Sequence, residues 1–285
     1  KIFRKAEAVD FNSYKKLKNA QIYESILKFE MTDFYILDKK EEIEKLINND
    51  ISMELESDLK LLLRQGPLVV RTDKYNSYNH MLPRSDELRS VEKIIEWFSK
   101  KLKNDIPNII DSLSEYIFIC HIFIPAIASA WSFAEPNKRR VRIEALWGIP
   151  EGMYWFPHDV YEVDAPYLDL KKAEENINKF SVSSRIRYKE KFIAPNESGE
   201  WITYNSNEEC DWKDTISNKN ICKQIALNSR KIANSINKPV NIMWFIEAYQ
   251  KGKTLKFIPW YHHPFELNKS KIKNAPKFKQ PDQDV

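Results

Sequence analysis

Residues 142–163, RIEALWGIPEGMYWFPHDVYEV, hold two strand-like segments on either side of a turn that is bounded by Gly148 and Gly152. Two carboxylates flank this turn: Glu144 precedes Gly148, and Glu151 lies inside the turn. A glycine backbone can approach a ligand closely, and carboxylates beside such a turn suit contacts to a cation or to a ribose. Exposed loop acids are also common in proteins. The pattern by itself therefore leaves a binding role and a plain surface role open.

The composition of the chain places it among globular proteins. Its 285 residues are 42% hydrophobic and 30% charged, which suits one large domain or two closely packed lobes. No apolar run approaches the roughly 18 residues of a membrane span, so no membrane partner is expected. Cys120, Cys210 and Cys222 lack the CxxC spacing of metal or redox sites, and this sparse set predicts a reducing, cytoplasmic location. The net charge of +4 arises from mixed charges, so a nucleic-acid partner is neither indicated nor excluded.

Hydrophobic periodicity divides the chain into two parts. The first part alternates helices and short strands, with helices predicted over 14–29, 38–48, 55–64 and 91–102 and strands over 34–37 and 68–70. The second part is rich in strands, which are predicted over 116–124, 128–134, 140–146, 152–163, 183–193, 200–204, 240–249 and 254–259, with one helix over 221–236. We therefore predict an α+β fold with an N-terminal α/β lobe (1–113), a strand-rich lobe (114–265) and a flexible polar tail (266–285).

Few single residues point to chemistry without further context. Arg71 ends the buried strand Leu68-Val69-Val70 and precedes a polar loop, which suits a phosphate clamp. An ion pair of Arg71 with Asp73 or Asp86 at the rim of a domain is the plainer interpretation. The sequence contains no GxSxG, HExxH, Walker A or GxGxxG motif, so the corresponding enzyme classes have no support.

Several segments, in order and spacing, resemble the ATP-grasp nucleotide-binding domain of phosphoenolpyruvate synthase, pyruvate phosphate dikinase and rifampin phosphotransferase. The best match is Glu144-Ala-Leu-Trp-Gly148-Ile-Pro-Glu151 followed by Pro157-His-Asp159-Val-Tyr161-Glu-Val163. The other anchors are Lys18-Asn-Ala-Gln-Ile-Tyr-Glu, Phe34-Tyr-Ile-Leu, Val69-Val-Arg71-Thr72, Cys120-His121-Ile-Phe-Ile124 and Ala130-Trp-Ser-Phe133. Together they span roughly residues 18–264.

The resemblance implies an ATP-grasp-like fold in which two lobes enclose ATP. It further implies that adenine lies on the hinge formed by His121, Ile122, Phe123 and Ile124. Lys18 and Arg71 would then be the catalytic side chains that clamp the phosphates. Ribose contacts or ordering of the loop would fall to Glu144, Gly148 and Glu151.

The closing strands depart from the family pattern at its metal and phosphate ligands. Met243 stands where the family has a metal-binding acid, and Pro259 and Tyr261 stand where it has Gln and Arg. Mg²⁺ requires hard oxygen ligands, which methionine does not provide. Glu247 lies on the same strand face as Met243 but about 13 Å further along it. Either other acids rebuild the metal site or phosphoryl transfer is impaired, so we assign no metal ligands and regard Mg²⁺ as doubtful.

Three functions follow from these observations. The first is the ATP-binding domain of a phosphoenolpyruvate synthase-like phosphotransferase, whose phosphate-accepting domain would lie on a longer chain or on a partner chain. The second is a degenerate module that binds nucleotide as a sensor or scaffold without turnover. The third is a nucleic-acid-binding protein that uses its Lys-rich helices and tail, although no clustered basic face supports it.

Overall fold

The computed structural model describes residues 1–75 and 82–264. The α-helices are α1 (Ala8–Ser13), α2 (Lys15–Leu27), α3 (Lys40–Asn48), α4 (Met53–Leu63), α5 (Val91–Glu96), α6 (Lys103–Asp105), α7 (Leu170–Glu175) and α8 (Lys219–Ile236). A π-helical turn (Trp97–Leu102) joins α5 to α6, and 3-10 turns occur at Ile109–Glu115, Pro150–Tyr154 and Ile177–Lys179. The predicted tail (266–285) and most of the predicted loop between residues 74 and 83 lie outside the described residues.

The first lobe is built on a four-stranded antiparallel sheet. Its strands are β1 (Arg4–Lys5), β2 (Phe34–Leu37), β3 (Leu68–Lys74) and β4 (Tyr116–Ile122), arranged in the order β1-β2-β4-β3. Helices α3, α4 and α5 bury their apolar faces against one side of this sheet and form a separate hydrophobic core. The predicted boundary at residue 113 would assign β4 to the second lobe. Instead β4 pairs with β2 and β3, so the chain leaves the first sheet at Ile122.

The second lobe is built on a six-stranded antiparallel sheet. Its strands are β5 (Ala126–Ala134), β6 (Arg140–Trp147), β7 (Asp159–Asp164), β8 (Ser181–Arg185), β11 (Val240–Gln250) and β12 (Lys253–Pro264), in the order β12-β11-β5-β6-β7-β8. Helix α8 covers one face, because Ile221, Ile225 and Ile232 recur at helical spacing and are buried. Helix α2 joins the same core through Leu17, Ala20 and Tyr23, and so ties the start of the chain to this lobe.

A two-stranded hairpin of β9 (Lys191–Pro195) and β10 (Trp201–Asn205) bridges the two lobes. On one side Ile149 donates its backbone N–H to the carbonyl of Ile193 (2.8 Å). On the other side Glu87 donates its backbone N–H to the carbonyl of Gly199 (3.2 Å). We call residues 191–205 the bridging hairpin.

Two predicted strands differ in the structure for physical reasons. The segment 152–163 divides into the 3-10 turn at Pro150–Tyr154 and the shorter strand β7, because Pro157 has no N–H to donate to a sheet. The segment 183–193 also divides: its first part (β8) pairs with β7, and its second part (β9) pairs with β10. The remaining predicted strands and helices agree with the structure to within a few residues at their ends.

The chain thus has the predicted α+β class, with two lobes around a cavity. Among the described residues, no helix combines the length and the apolar character needed to cross a membrane.

Candidate functional site

The cavity lies where β3 and β4 of the first lobe face β5, β11 and β12 of the second. It has a volume of about 310 Å³. The bridging hairpin and the turn after β6 complete its wall. Its lining includes Val69, Arg71, Arg84, His121, Phe123, Ile124, Ser129, Gly148, Glu151, Trp201, Met243, Phe245 and Trp260.

One end of the cavity is apolar and lies at the hinge between the lobes. Phe123 and Ile124 leave β4 and form one wall, and Phe123 is fixed by a hydrogen bond from its backbone N–H to the carbonyl of Pro67 (2.8 Å). Met243 and Phe245, two residues apart on β11, supply the opposite wall because alternate residues of a strand face the same side. Such a slot suits a flat, apolar group.

The other end of the cavity is cationic. Arg71 on β3 lies directly opposite Arg84, which belongs to the segment that runs antiparallel to β3. Arg84 forms an ion pair with Glu151 and stacks over Trp201, 4.4 Å from its ring centroid. Burial and the charge of Arg84 lower the pKa of Arg71 to about 10, so the guanidinium remains charged at neutral pH. Within the described part of the chain, Arg71 forms no ion pair with Asp73, Asp86 or any other acid, so the structure does not contain the plainer rim pairing.

A lysine of α2 lies beside this cationic end, but it is Lys16 and not Lys18. The ammonium group of Lys16 donates to the carbonyl of Thr72, the residue after Arg71. Burial and the nearby charge of Arg71 lower the pKa of Lys16 to about 7. Neither lysine lines the cavity itself, but Lys18 is exposed on α2, whereas Lys16 contacts the strand that carries Arg71. Residues two apart on a helix point about 200° apart, so only one of them can face the site.

Four residues of the cavity wall carry buried polar side-chain atoms that find no hydrogen-bond partner in the described structure. Two of these atoms are donors, Nε of Arg71 and Nε1 of Trp201. The other two are a ring nitrogen, Nε2 of His121, and a carboxylate acceptor, Oε2 of Glu151. Buried polar groups in proteins are nearly always paired, and each unpaired one is costly. Their concentration around one cavity makes this cavity the candidate functional site.

His121 lies on the wall between the two ends. It is 4% exposed and its ring packs between Phe34 (centroids 5.9 Å apart) and Trp260 (4.7 Å). Burial and the charge of Arg71 lower the pKa of His121 to about 3. The ring is therefore neutral at any physiological pH.

Gly148 allows the backbone of the bridging hairpin to pack closely against the turn after β6. Its φ of 72° lies in the left-handed region, and a Cβ atom there would meet the carbonyl oxygen of Ile193 at 2.0 Å. Only glycine permits this approach. The same residue lines the cavity and accepts a hydrogen bond from Ser129 (2.7 Å) at its carbonyl.

Besides Lys18, two of the residues predicted from the sequence lie away from the cavity. Ile122 turns its side chain toward the core of the first lobe, and only its carbonyl contributes, as the acceptor for Nδ1 of His121 (2.9 Å). Glu144 pairs with Arg142 (2.8 Å) and with His158 (3.3 Å), and it lines a second cavity on the same face of the six-stranded sheet. The bond from His158 is the main cause that lowers the pKa of Glu144, and the same bond raises the pKa of His158.

Asp159, the acid in the motif Pro157-His-Asp159-Val-Tyr161, has a structural role. Its Oδ1 accepts from the backbone N–H of Arg187 (2.9 Å) and from Nζ of Lys189 (2.9 Å). Its Oδ2 accepts from the backbone N–H (2.9 Å) and the hydroxyl (2.7 Å) of Thr215. The carboxylate is saturated and fully buried, so it is unavailable to a ligand.

No constellation suited to a metal is found in residues 1–75 and 82–264: no three His, Cys, Asp or Glu side chains converge there. Met243, which the resemblance placed at the position of a metal-binding acid, lines the cavity. Glu247 is exposed, has a φ of 49° and has no partner in either neighbouring strand. Glu247 does not line the cavity, although strand alternation alone predicts that it shares a face with Met243.

Four residues at or beside the cavity were not predicted from the sequence: Lys16, Arg84, Trp201 and Trp260. A polar loop separates Arg71 from Arg84. The sequence is therefore compatible with a chain that folds back along β3 and brings Arg84 opposite Arg71. Trp260 sits in the closing strand that already departs from the family pattern. Trp201 had no sequence signal, because its place on the wall depends on how the bridging hairpin docks.

Comparisons with known proteins give distant structural likenesses. No family model and no curated protein matches the chain. Among solved structures, an ADP complex of N5-carboxyaminoimidazole ribonucleotide synthetase is 13% identical with a TM-score of 0.38, over 90% of this chain and 46% of that one. An L-amino acid ligase from Bacillus licheniformis is 12% identical with a TM-score of 0.37, over 90% and 43%. The dinucleotide-forming acetyl-coenzyme A synthetase 1 of Ca. Korarchaeum cryptofilum is 13% identical with a TM-score of 0.37, over 85% and 91%.

The chain thus spans less than half the length of the first two proteins. None of the three is a phosphoenolpyruvate synthase, a pyruvate phosphate dikinase or a rifampin phosphotransferase, so they do not support that family. At TM-scores of 0.37 and 0.38 the likenesses carry no argument about function.

Proposed function

We propose that the cavity between the lobes binds an adenine nucleotide, ATP or ADP. The observation that carries the proposal is one cavity that combines an apolar wall with the buried guanidinium of Arg71, which has no ion-pair partner in residues 1–75 and 82–264. The hinge around Phe123 and Ile124 takes the base. Arg71, with Arg84 and Lys16 nearby, attracts the phosphates, because the resident carboxylate of Glu151 pairs with Arg84 and leaves Arg71 uncompensated.

The family resemblance suggests a finer function, phosphoryl transfer of the phosphoenolpyruvate synthase type. Such transfer relies on a metal that bridges the phosphates and on acids that hold it. The cavity presents Met243 where the resemblance would place the metal-binding acid, with Phe245 beside it, and these apolar side chains provide no ligand for Mg²⁺. This observation favours the second candidate, a module that binds nucleotide as a sensor or scaffold without turnover. Only the phosphotransferase proposal requires a phosphate acceptor and a separate domain that carries the phosphate.

Isothermal titration calorimetry of the whole chain with ATP, ADP and AMP, with and without Mg²⁺, tests the proposal. We expect binding that weakens from ATP to AMP as phosphates are removed, and little gain from Mg²⁺. A separate assay measures ADP and AMP released from ATP over hours. Absence of binding by all three nucleotides contradicts the proposal, and Mg²⁺-dependent release of ADP or AMP favours the phosphotransferase over the sensor.

The third function predicted from the sequence, nucleic-acid binding, needs its own measurement. Binding of single-stranded RNA or DNA that falls steeply with salt, together with no response to nucleotides, would support it over nucleotide binding.

A further inference from the structure

Arg84 is the point at which the two lobes and the bridging hairpin meet at the cationic end of the cavity. Its segment belongs to the first lobe, where Ser85 donates its backbone N–H to the carbonyl of Val70 on β3 (2.8 Å). The guanidinium of Arg84 stacks over Trp201 of the bridging hairpin and forms an ion pair with Glu151 of the second lobe. The backbone pairing and the stacking hold this guanidinium at one place on the cavity wall.

The backbone that carries Glu151 is equally well held, whereas its side chain has room to turn. Glu151 lies in the 3-10 turn Pro150–Tyr154, which is closed by a hydrogen bond from the backbone N–H of Trp155 to the carbonyl of Gly152 (3.1 Å). The side chain of Glu151 is 30% exposed, so it has a path to solvent. A change of rotamer therefore moves the carboxylate away from Arg84 without moving the backbone.

Only one carboxylate oxygen makes the ion pair between Glu151 and Arg84. Oε1 contacts the guanidinium, while Oε2 finds no hydrogen-bond donor in residues 1–75 and 82–264. A pair in which both oxygens contact a guanidinium is stronger, and ion pairs that solvent reaches contribute little to stability. A phosphate offers more charge and more oxygens to the same guanidinium than this carboxylate does. Glu151 is therefore an occupant that a phosphate can replace.

Glu151 also compensates charge in the empty cavity. Arg71 and Arg84 lie opposite each other, and burial together with the charge of Arg84 lowers the pKa of Arg71. The charge of Glu151 acts in the opposite direction and raises it. The carboxylate thus relieves the repulsion between two neighbouring guanidinium groups. A bound anion would provide the same compensation, so the anion and Glu151 serve the same pair of arginines.

We propose that Glu151 is a built-in competitor for the anion site: its carboxylate occupies Arg84 while the cavity is empty, and the phosphates of a ligand displace it into solvent. The contact is thus autoinhibitory, because every anion that binds Arg84 must first break the resident ion pair. A polyphosphate that reaches both Arg71 and Arg84 overcomes this competition more readily than a small monoanion does. The inference rests on the proposed nucleotide function for the identity of the ligand.

Calorimetry with ATP and with tripolyphosphate tests the role of Glu151. Glu151→Gln keeps the size of the side chain and removes its charge, so it should bind both ligands roughly two- to fivefold more tightly than the wild type. Glu151→Ala also removes the amide oxygen that could still contact Arg84, so it should gain at least as much. Without ligand, both variants should unfold at a lower temperature, because Arg71 and Arg84 lose their counter-charge. A role in packing alone would lower both the unfolding temperature and the affinity, so the opposite signs identify competition.

Asp38→Asn is the matched control. Asp38 pairs with Arg4 at 2.7 Å, the two side chains are 33% and 37% exposed, and neither lines the cavity. This variant should bind both ligands as the wild type does. Circular dichroism reports whether each variant is folded, and either folded variant of Glu151 is sufficient for the comparison.

The outcomes separate the role of Glu151 from the identity of the ligand. ATP affinity that is unchanged or weaker in the Glu151 variants overturns the competition while nucleotide binding stands. Binding of tripolyphosphate that tightens in Glu151→Gln, with no response to ATP, supports the competition and contradicts the nucleotide proposal. A failure of both ligands to bind to the wild type and to the variants overturns both.

Discussion

Nζ of Lys189 lies 2.9 Å from Oδ1 of Asp159, and neither side chain has any solvent exposure. The pair joins the start of β7 to the segment that leads into the bridging hairpin. Nζ also donates to the carbonyl of Arg187 (2.9 Å), and Thr215 occupies the other carboxylate oxygen. This network fixes residues 187–215 to the second lobe and thereby positions one wall of the cavity.

Breaking this buried pair should destabilise the protein strongly. Removal of one partner leaves an uncompensated buried charge, so we expect Lys189→Met and Asp159→Asn each to lower the free energy of unfolding by about 3–5 kcal/mol. The double variant should lose clearly less than the sum of the two. Urea denaturation followed by tryptophan fluorescence measures this. Lys231→Met, which removes an exposed pair with Glu174, should cost no more than about 1 kcal/mol, and similar losses at both pairs would contradict the assignment.

The docking of the bridging hairpin should depend on Gly148. Gly148→Ala forces a Cβ onto the carbonyl oxygen of Ile193, whereas Gly252→Ala meets nothing within 4 Å. Both glycines have a positive φ, 72° and 76°, so the backbone strain is matched and only the clash differs. We expect Gly252→Ala to cost about 1 kcal/mol and Gly148→Ala to cost distinctly more. Thermal unfolding compares them, and equal shifts in Tm would show that the hairpin does not rest on Gly148.

Arg71 should contribute more to nucleotide affinity than any exposed arginine. Arg71→Ala removes the expected charge-assisted hydrogen bond to a phosphate, which is worth about 1.5–3 kcal/mol, or roughly 10- to 150-fold in Kd for ATP. The control is Arg64→Ala at the exposed end of α4, which should change Kd less than twofold. Calorimetry on both variants decides the matter. Unchanged ATP affinity in Arg71→Ala would remove Arg71 from the site.

Lys16, and not Lys18 as the family resemblance implied, should contribute to binding of the phosphates. Lys16→Met should weaken ATP binding severalfold, and Lys18→Met should not. Because its pKa is about 7, Lys16 is protonated below pH 7 and loses its charge as the pH rises above it. An anion that binds beside Lys16 favours the charged form, so its affinity should be highest below pH 7 and decline above.

The ligand titrates over the same range, so the pH series needs an internal reference. Running it on Lys16→Met as well removes the contribution of ATP itself, and the difference between the two curves isolates the lysine. Parallel curves for the two proteins would show that Lys16 does not contribute to the pH dependence. A larger loss of ATP affinity in Lys18→Met would return the role to Lys18.

The sequence by itself determined the local elements and the order of the site segments. Periods of 3.6 and 2 mark which face of an element is buried, and this predicted α8, β3 and the β11–β12 hairpin. The motifs of the family resemblance also identified six residues that line one cavity in the structure: Arg71, His121, Phe123, Ile124, Gly148 and Glu151.

Only the tertiary structure decided what closes that cavity and which atoms in it lack partners. Arg89 reaches the carbonyl of Glu197 across 108 residues of chain, and no local pattern encodes that contact. The role of Asp159 likewise depends on Thr215, 56 residues away, which turns a motif acid into a saturated structural group. Hydrophobic periodicity predicts which residues are buried, but it does not predict the hydrogen-bond partners of buried polar atoms. Those partners depend on which distant segment packs against each atom.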